Sequence, residues 1–130
     1  MPGAFKKLTM IETNLTEGGL FAGIGGFQLA SRLEGIKTKW VCEINPYRLN
    51  ILKQNFADVE LHRNIYQLKK PSYVDIITGG FPCQDLSISG AGVGIVGWRS
   101  RLWQEYFRII CEVRPRYIVI ENSPQLANRG

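Results

Sequence analysis

Histidine is nearly absent from this chain of 130 residues: there is one, His62. The three cysteines, Cys42, Cys83 and Cys111, are odd in number and are not spaced as ligand pairs. A structural zinc site and a disulfide framework are therefore not expected, and a reducing cytoplasm is. Long apolar runs are missing too. No stretch approaches the roughly 18 residues of a membrane span, and no apolar segment follows Lys6 and Lys7 as a secretion signal would require. Repeats, linkers and low-complexity segments are also lacking. What remains is 45% apolar and 21% charged, the balance of a globular domain able to bury roughly two thirds of its unfolded surface. The net charge of +5 has two readings: an ordinary basic surface, or one that meets phosphates.

Residues 1–16 show no periodicity and are expected to form a flexible tail before a single domain over 17–130. Strands are predicted at Gly18–Phe21, Thr38–Glu43, Val59–His62, Tyr73–Thr78 and Tyr117–Ile120. The fourth is nearly all apolar, as in a central parallel strand. Phe27, Ala30 and Leu33 lie at helical spacing and Gly35 is a natural stop. Asn45-Pro46 is a strong helix start, because asparagine caps free amides and proline has no amide to leave unpaired. The buried face of that helix is read as Tyr47, Ile51, Leu52 and Asn55. Gly90, Gly92, Gly94 and Gly97 argue for a loop. Ser100 is then expected to cap a helix with Leu102, Trp103, Tyr106, Phe107, Ile110 and Val113 on its apolar face, ended by Pro115. Alternating strands and helices predict a three-layer α/β fold with a mainly parallel sheet.

In such sheets ligands bind beyond the carboxyl ends of the strands. Phe21 to Gly26, Glu43, Cys83 and Glu121 all fall at that rim. The glycines would let backbone approach a nucleoside cofactor, and Glu43 could accept hydrogen bonds from ribose hydroxyls. A Gly-x-Gly-Gly turn also suits a tight strand-to-helix connection, so that motif alone decides nothing. Pro82-Cys83-Gln84, in a stiff turn after an apolar strand, places a cysteine like a nucleophile. Cys42 and Cys111 are read as small packing residues, Trp40 and Trp103 as core, and His62 as a strand-end or surface residue. Asp85 is assigned no role, since a carboxyl group beside Cys83 would raise the thiol pKa.

Leu20-Phe21-Ala22-Gly23-Ile24-Gly25-Gly26-Phe27, Gly80-Phe81-Pro82-Cys83-Gln84 with Ser87 and Gly90, and Glu121-Asn122 resemble, in order and spacing, motifs of the cytosine-5 DNA methyltransferases. The resemblance covers about residues 17–128. It implies a Rossmann-like S-adenosylmethionine-dependent fold and methyl transfer to carbon 5 of cytosine. Carbon 5 is a poor nucleophile, so a thiolate first adds at carbon 6. By resemblance Cys83 is that nucleophile, and Glu121 holds the base and protonates ring nitrogen 3. The S-adenosylmethionine contacts implied are Phe21, Gly23, Ile24, Gly25, Gly26, Glu43, Ile44, Asn64, Ile65, Pro82 and Leu102. The partner implied is double-stranded DNA with its target cytosine flipped out, met by Gln84, Ser87, Ser89 and Arg99. Segment 88–98 resembles the mobile loop that closes over DNA.

The chain departs from the family pattern at Gly19, often aspartate or serine; at Asn64, usually aspartate; at Leu86, usually phenylalanine; and at Ser123, usually valine. None of these removes a reacting group. The resemblance also implies that 17–130 is the N-terminal part of a longer catalytic domain, truncated after about five strands. The later arginine motif, the target recognition region and the final cofactor motif do not occur in this sequence. A sheet ordered 3-2-1-4-5-7-6 would leave the fifth strand as an apolar edge, so a C-terminal half supplied in trans is an expected partner. The alternatives are a remnant that binds cofactor or a partner protein without catalysis, and a methyltransferase acting on tRNA cytosine.

Overall fold

The computed structural model describes residues 13–81 and 94–121, with side chains from Arg101 onward in the second stretch. Five strands, β1 (Thr16–Leu20), β2 (Lys37–Cys42), β3 (Glu60–His62), β4 (Ile76–Gly80) and β5 (Tyr117–Glu121), form one parallel sheet ordered β3-β2-β1-β4-β5. Helices α1 (Gly26–Leu33), α2 (Pro46–Asn55) and α3 (Gly94–Val113) cover its two faces. Leu102, Tyr106, Ile109 and Val113 of α3 pack with Leu20, Trp40, Cys42 and Ile77 on one face. On the other, Leu52 and Phe56 pack with Val41 and Val59, and Gln28 of α1 reaches β1 and β4. These are the three layers that the alternating pattern predicts.

The register within β1 and β2 decides what each layer contains. Glu17 pairs with Thr38 and Gly18 with Trp40, so Lys39 has no partner on β1. This bulge shifts the alternation of β2 by one residue. Thr38 therefore faces Glu17, while Trp40 faces the α3 layer. There the Trp40 ring lies where a side chain at Gly18 would stand: a Cβ on Gly18 would be 2.3 Å from Trp40 Cζ2. Behind the sheet, the buried Glu17 accepts hydrogen bonds from Gln28 Nε2 (2.8 Å) and Thr78 Oγ1 (2.6 Å) through Oε1, and from Thr38 Oγ1 (2.6 Å) through Oε2. Burying a carboxyl group is tolerated when its oxygens are met by donors in this way.

Several boundaries and faces differ from the sequence reading. The first strand starts at Thr16, where Thr16 and Asp75 clasp each other: Asp75 Oδ2 accepts from Thr16 N and Oγ1, both at 2.9 Å. The fourth strand starts at Ile76 and runs through the glycine pair. Helix α3 begins at Gly94, so Gly94 and Gly97 lie inside it and Ser100 is not its cap. On α1 the buried residues are Gln28 and Ser31, with Leu29 and Leu33 exposed; the polar network under β1 selects that face. On α2 they are Leu49 and Leu52, while Tyr47 is exposed. Trp103 and Phe107 are exposed on α3, and Ile109 takes the core position instead. Asn45 caps α2 as expected, its Oδ1 accepting from Tyr47 N and Arg48 N. No helix among the described residues is long and apolar enough to cross a membrane.

Candidate functional site

The turn after β1 is built for close approach. Phe21 has φ +49°, and Gly23 and Gly25 follow at +61° and +99°. Glycine takes these values readily, whereas Phe21 is held in a sparsely populated conformation, of a kind that collects at functional sites. The glycines divide the work. A Cβ at Gly25 would stand 2.5 Å from the Phe56 ring, whereas Gly23 and Gly26 face open space. Their backbone is what a ligand could reach.

Beside this turn is a cavity of about 270 Å³. Six residues of the expected cofactor set line it: Phe21, Glu43, Ile44, Asn64, Ile65 and Leu102. They come from the ends of β1 and β2, the turn after β3, and α3. Glu43 is buried, yet both its oxygens are held by backbone: Oε1 accepts from Gly23 N at 3.0 Å and Oε2 from Asn45 N at 2.8 Å. It thus ties the glycine turn to the start of α2 and keeps spare lone pairs toward the cavity. Arg48 lies 3.6 Å from Glu43 Oε1.

Asn64 opens a tight turn. Its Oδ1 accepts from Tyr66 N at 3.0 Å, and its backbone oxygen accepts from Gln67 N and Leu68 N. With Oδ1 engaged in this way, its Nδ2 has no partner among the described residues and can donate. Arg48, Arg63 and Tyr66 also line the cavity, and they belong to none of the motifs. An arginine two residues past a helix start, or one beside a cofactor-type asparagine, is the signal that could have found them.

The opposite end of the cavity reaches Gly80. There β5 pairs in register with β4, Gly80 beside Glu121. The Glu121 carboxyl group lies over Gly80, with Oε2 3.2 Å from where a Cβ would be, and Phe81 N donates to Glu121 O at 3.2 Å. Phe81 packs edge-on against Phe21, and Phe21 stacks on Tyr106. The hydroxyl of buried Tyr106 has no partner among the described residues, and burial raises its pKa. Cys42 is also on the cavity wall, where burial first, and neighbouring Glu43 second, push its thiol up to about 12 and disfavour the thiolate. Cys111 is exposed, contrary to its expected packing role. Pro82, Cys83, Gln84, Ser87 and Ser89 lie outside the described residues, as does the side chain of Arg99.

The C-5 cytosine-specific DNA methylase family model matches residues 16–130. The chain belongs to this family. Among curated family members, it is 38% identical over 117 residues to type II methyltransferase M2.BsuMI of Bacillus subtilis, an alignment covering 85% of this chain and 30% of that one. M1.ScrFI of Lactococcus lactis is likewise 38% identical, over 82% of this chain and 28% of its own. The methyltransferase fold extends to a solved structure, Spodoptera frugiperda DNMT2, with TM-score 0.66 and 26% identity over 88% of this chain and 37% of that one. The chain thus spans about 30% of the length of the curated methyltransferases it matches.

Proposed function

We propose that this chain carries the cofactor cavity and the reacting groups of a DNA cytosine-5 methyltransferase. The observation that carries the reading is the β4–β5 register. It puts Glu121 abreast of Gly80, and Gly80 leads directly through Phe81 and Pro82 to Cys83. An acid at the end of one strand, and a thiol three residues along the chain from the end of its neighbour, suit the two sides of one flat heterocycle.

The donor set fits S-adenosylmethionine. Phe21, Ile44, Ile65 and Leu102 offer apolar walls to a purine. Glu43 has lone pairs for ribose hydroxyls, and the open faces of Gly23 and Gly26 admit a close ligand. Ile24, Gly25 and Pro82 complete the set by resemblance. When bound, S-adenosylmethionine supplies the methyl group that carbon 5 receives. The chain's own residues prepare and release the base. Cys83 Sγ forms a bond to carbon 6, while Glu121 donates a proton to ring nitrogen 3 of a cytosine rotated out of duplex DNA. Once the carbon 5 proton has left to water, the Sγ–carbon 6 bond breaks, its electron pair returns to Cys83 as thiolate, and ring nitrogen 3 gives its proton back to the Glu121 carboxylate. Gln84, Ser87, Ser89 and Arg99 are the proposed DNA contacts.

Turnover, in this reading, needs the further residues of the family domain, in the same polypeptide or in trans. The exposed apolar residues Tyr117 to Ile120 support this. With that part present, 5-fluorocytosine DNA and S-adenosylmethionine should give a denaturation-resistant complex that Cys83→Ala abolishes. No complex in the unsubstituted protein would sink the catalytic reading. Methylation by the purified chain alone, at a rate typical of enzymes, would sink the requirement for further residues.

A further inference from the structure

Arg108 lies on α3, away from every motif, and its side chain makes four hydrogen bonds among the described residues. Its Nη2 donates to two backbone carbonyls of the turn after β3, Ile65 O at 2.9 Å and Leu68 O at 3.0 Å. Its Nε donates to Glu105 (2.8 Å) and its Nη1 to Glu112 (2.7 Å) on its own helix. Glu112 in turn accepts from Lys70 N at 2.7 Å. Residues 64–68 are thus a single helical turn satisfied at both ends: the Asn64 side chain meets an amide at its start, and Arg108 meets the carbonyls at its close. A lone turn has no neighbouring turns to bond these groups, and without such partners it is not stable in water.

The turn carries Asn64, Ile65 and Tyr66, one wall of the cavity, while α3 carries Leu102, another wall. We propose that Arg108 is a positioning residue that locks these two walls together, so that the cavity is shaped for the cofactor before it binds. This rests on the cofactor reading of the cavity given above. Arginine suits the task because its planar fork reaches two carbonyls and two carboxyl groups at once, which an ammonium group cannot.

The test pairs amide hydrogen exchange with calorimetric titration of S-adenosylhomocysteine on the purified chain. Arg108→Met is expected to speed exchange of the Tyr66, Gln67 and Leu68 amides at least tenfold, leaving those of β1, β2 and β4 unchanged. It is also expected to weaken S-adenosylhomocysteine about tenfold, with Arg108→Lys intermediate in both readouts. Ile109→Ala, which opens a void beside the same helix, should lower the melting temperature without changing affinity. Should Arg108→Met fail to fold, Glu105→Gln with Glu112→Gln removes the anchors of the guanidinium and should shift both readouts in the same sense. Unchanged exchange at 66–68, or unchanged affinity where the parent chain binds, overturns the proposal. A parent chain that does not bind S-adenosylhomocysteine overturns instead the cofactor reading, and the exchange measurement still decides whether Arg108 holds the turn.

Discussion

Tyr106 and Gly79 form a matched pair. A Cβ on Gly79 would stand 2.8 Å from the Tyr106 hydroxyl and 2.8 Å from Leu20 O. Gly79→Ala should therefore destabilise the chain by about 1–3 kcal/mol, the usual cost of overpacking, read as a lower denaturant midpoint. Tyr106→Phe should act in the opposite direction. It deletes a buried hydroxyl that has no partner among the described residues, and a gain of about 1 kcal/mol in the same assay is expected. The cysteines can be told apart chemically. At pH 8 the buried Cys42, with its thiol pushed up to about 12, should resist alkylation while exposed Cys111 reacts; peptide mass spectrometry reports both. This scale was only partly legible in the sequence. Glu43 and Phe21 could be found because their motif positions carry them. The bond from Arg108 to the turn after β3 could not, because the carbonyls of Ile65 and Leu68 come from another element and no local spacing announces them.

Elements were easier to foresee than the faces they bury. Strand and helix number follow from alternation and from the Asn45-Pro46 start, which are local signals, whereas the strand order comes from the family resemblance. The buried face of α1 does not, because it is chosen by Glu17 on β1: Gln28 turns inward to meet it and Leu29 is left outside. Of the four glycines that argue for a loop, Gly94 and Gly97 lie in α3, because helix propensity is a weak prior, and Gly90 and Gly92 lie outside the described residues. The clasp between β1 and β4 gives a pH test. Asp75 has its pKa lowered, first by the Thr16 backbone amide and then by the Thr16 hydroxyl. A depressed carboxyl pKa stabilises fully above the unfolded value and loses that contribution as pH falls through the folded one. Denaturant midpoints should therefore drop below about pH 4, and Asp75→Asn should flatten the drop.

The whole molecule is lopsided. One edge strand, β3, is short, whereas the other, β5, exposes Tyr117, Ile118, Val119 and Ile120 by 43–53% each. An exposed apolar edge of this kind tends to pair with another strand. Sedimentation should show concentration-dependent self-association of the isolated chain, relieved by Val119→Lys and also by adding the rest of the family domain. Monomers at high concentration without either would mean that the edge is covered. The Trp40 ring above Gly18 has a historical consequence as well. Because no Cβ fits beneath that ring, a lineage could acquire the two residues in only one order, glycine first and tryptophan afterwards. The second step closes the route back, since any later side chain at 18 would have to displace a buried indole. Proteins that carry a side chain at this position should have a smaller residue opposite it, and exchanging either residue alone between the two kinds should be tolerated in one direction only.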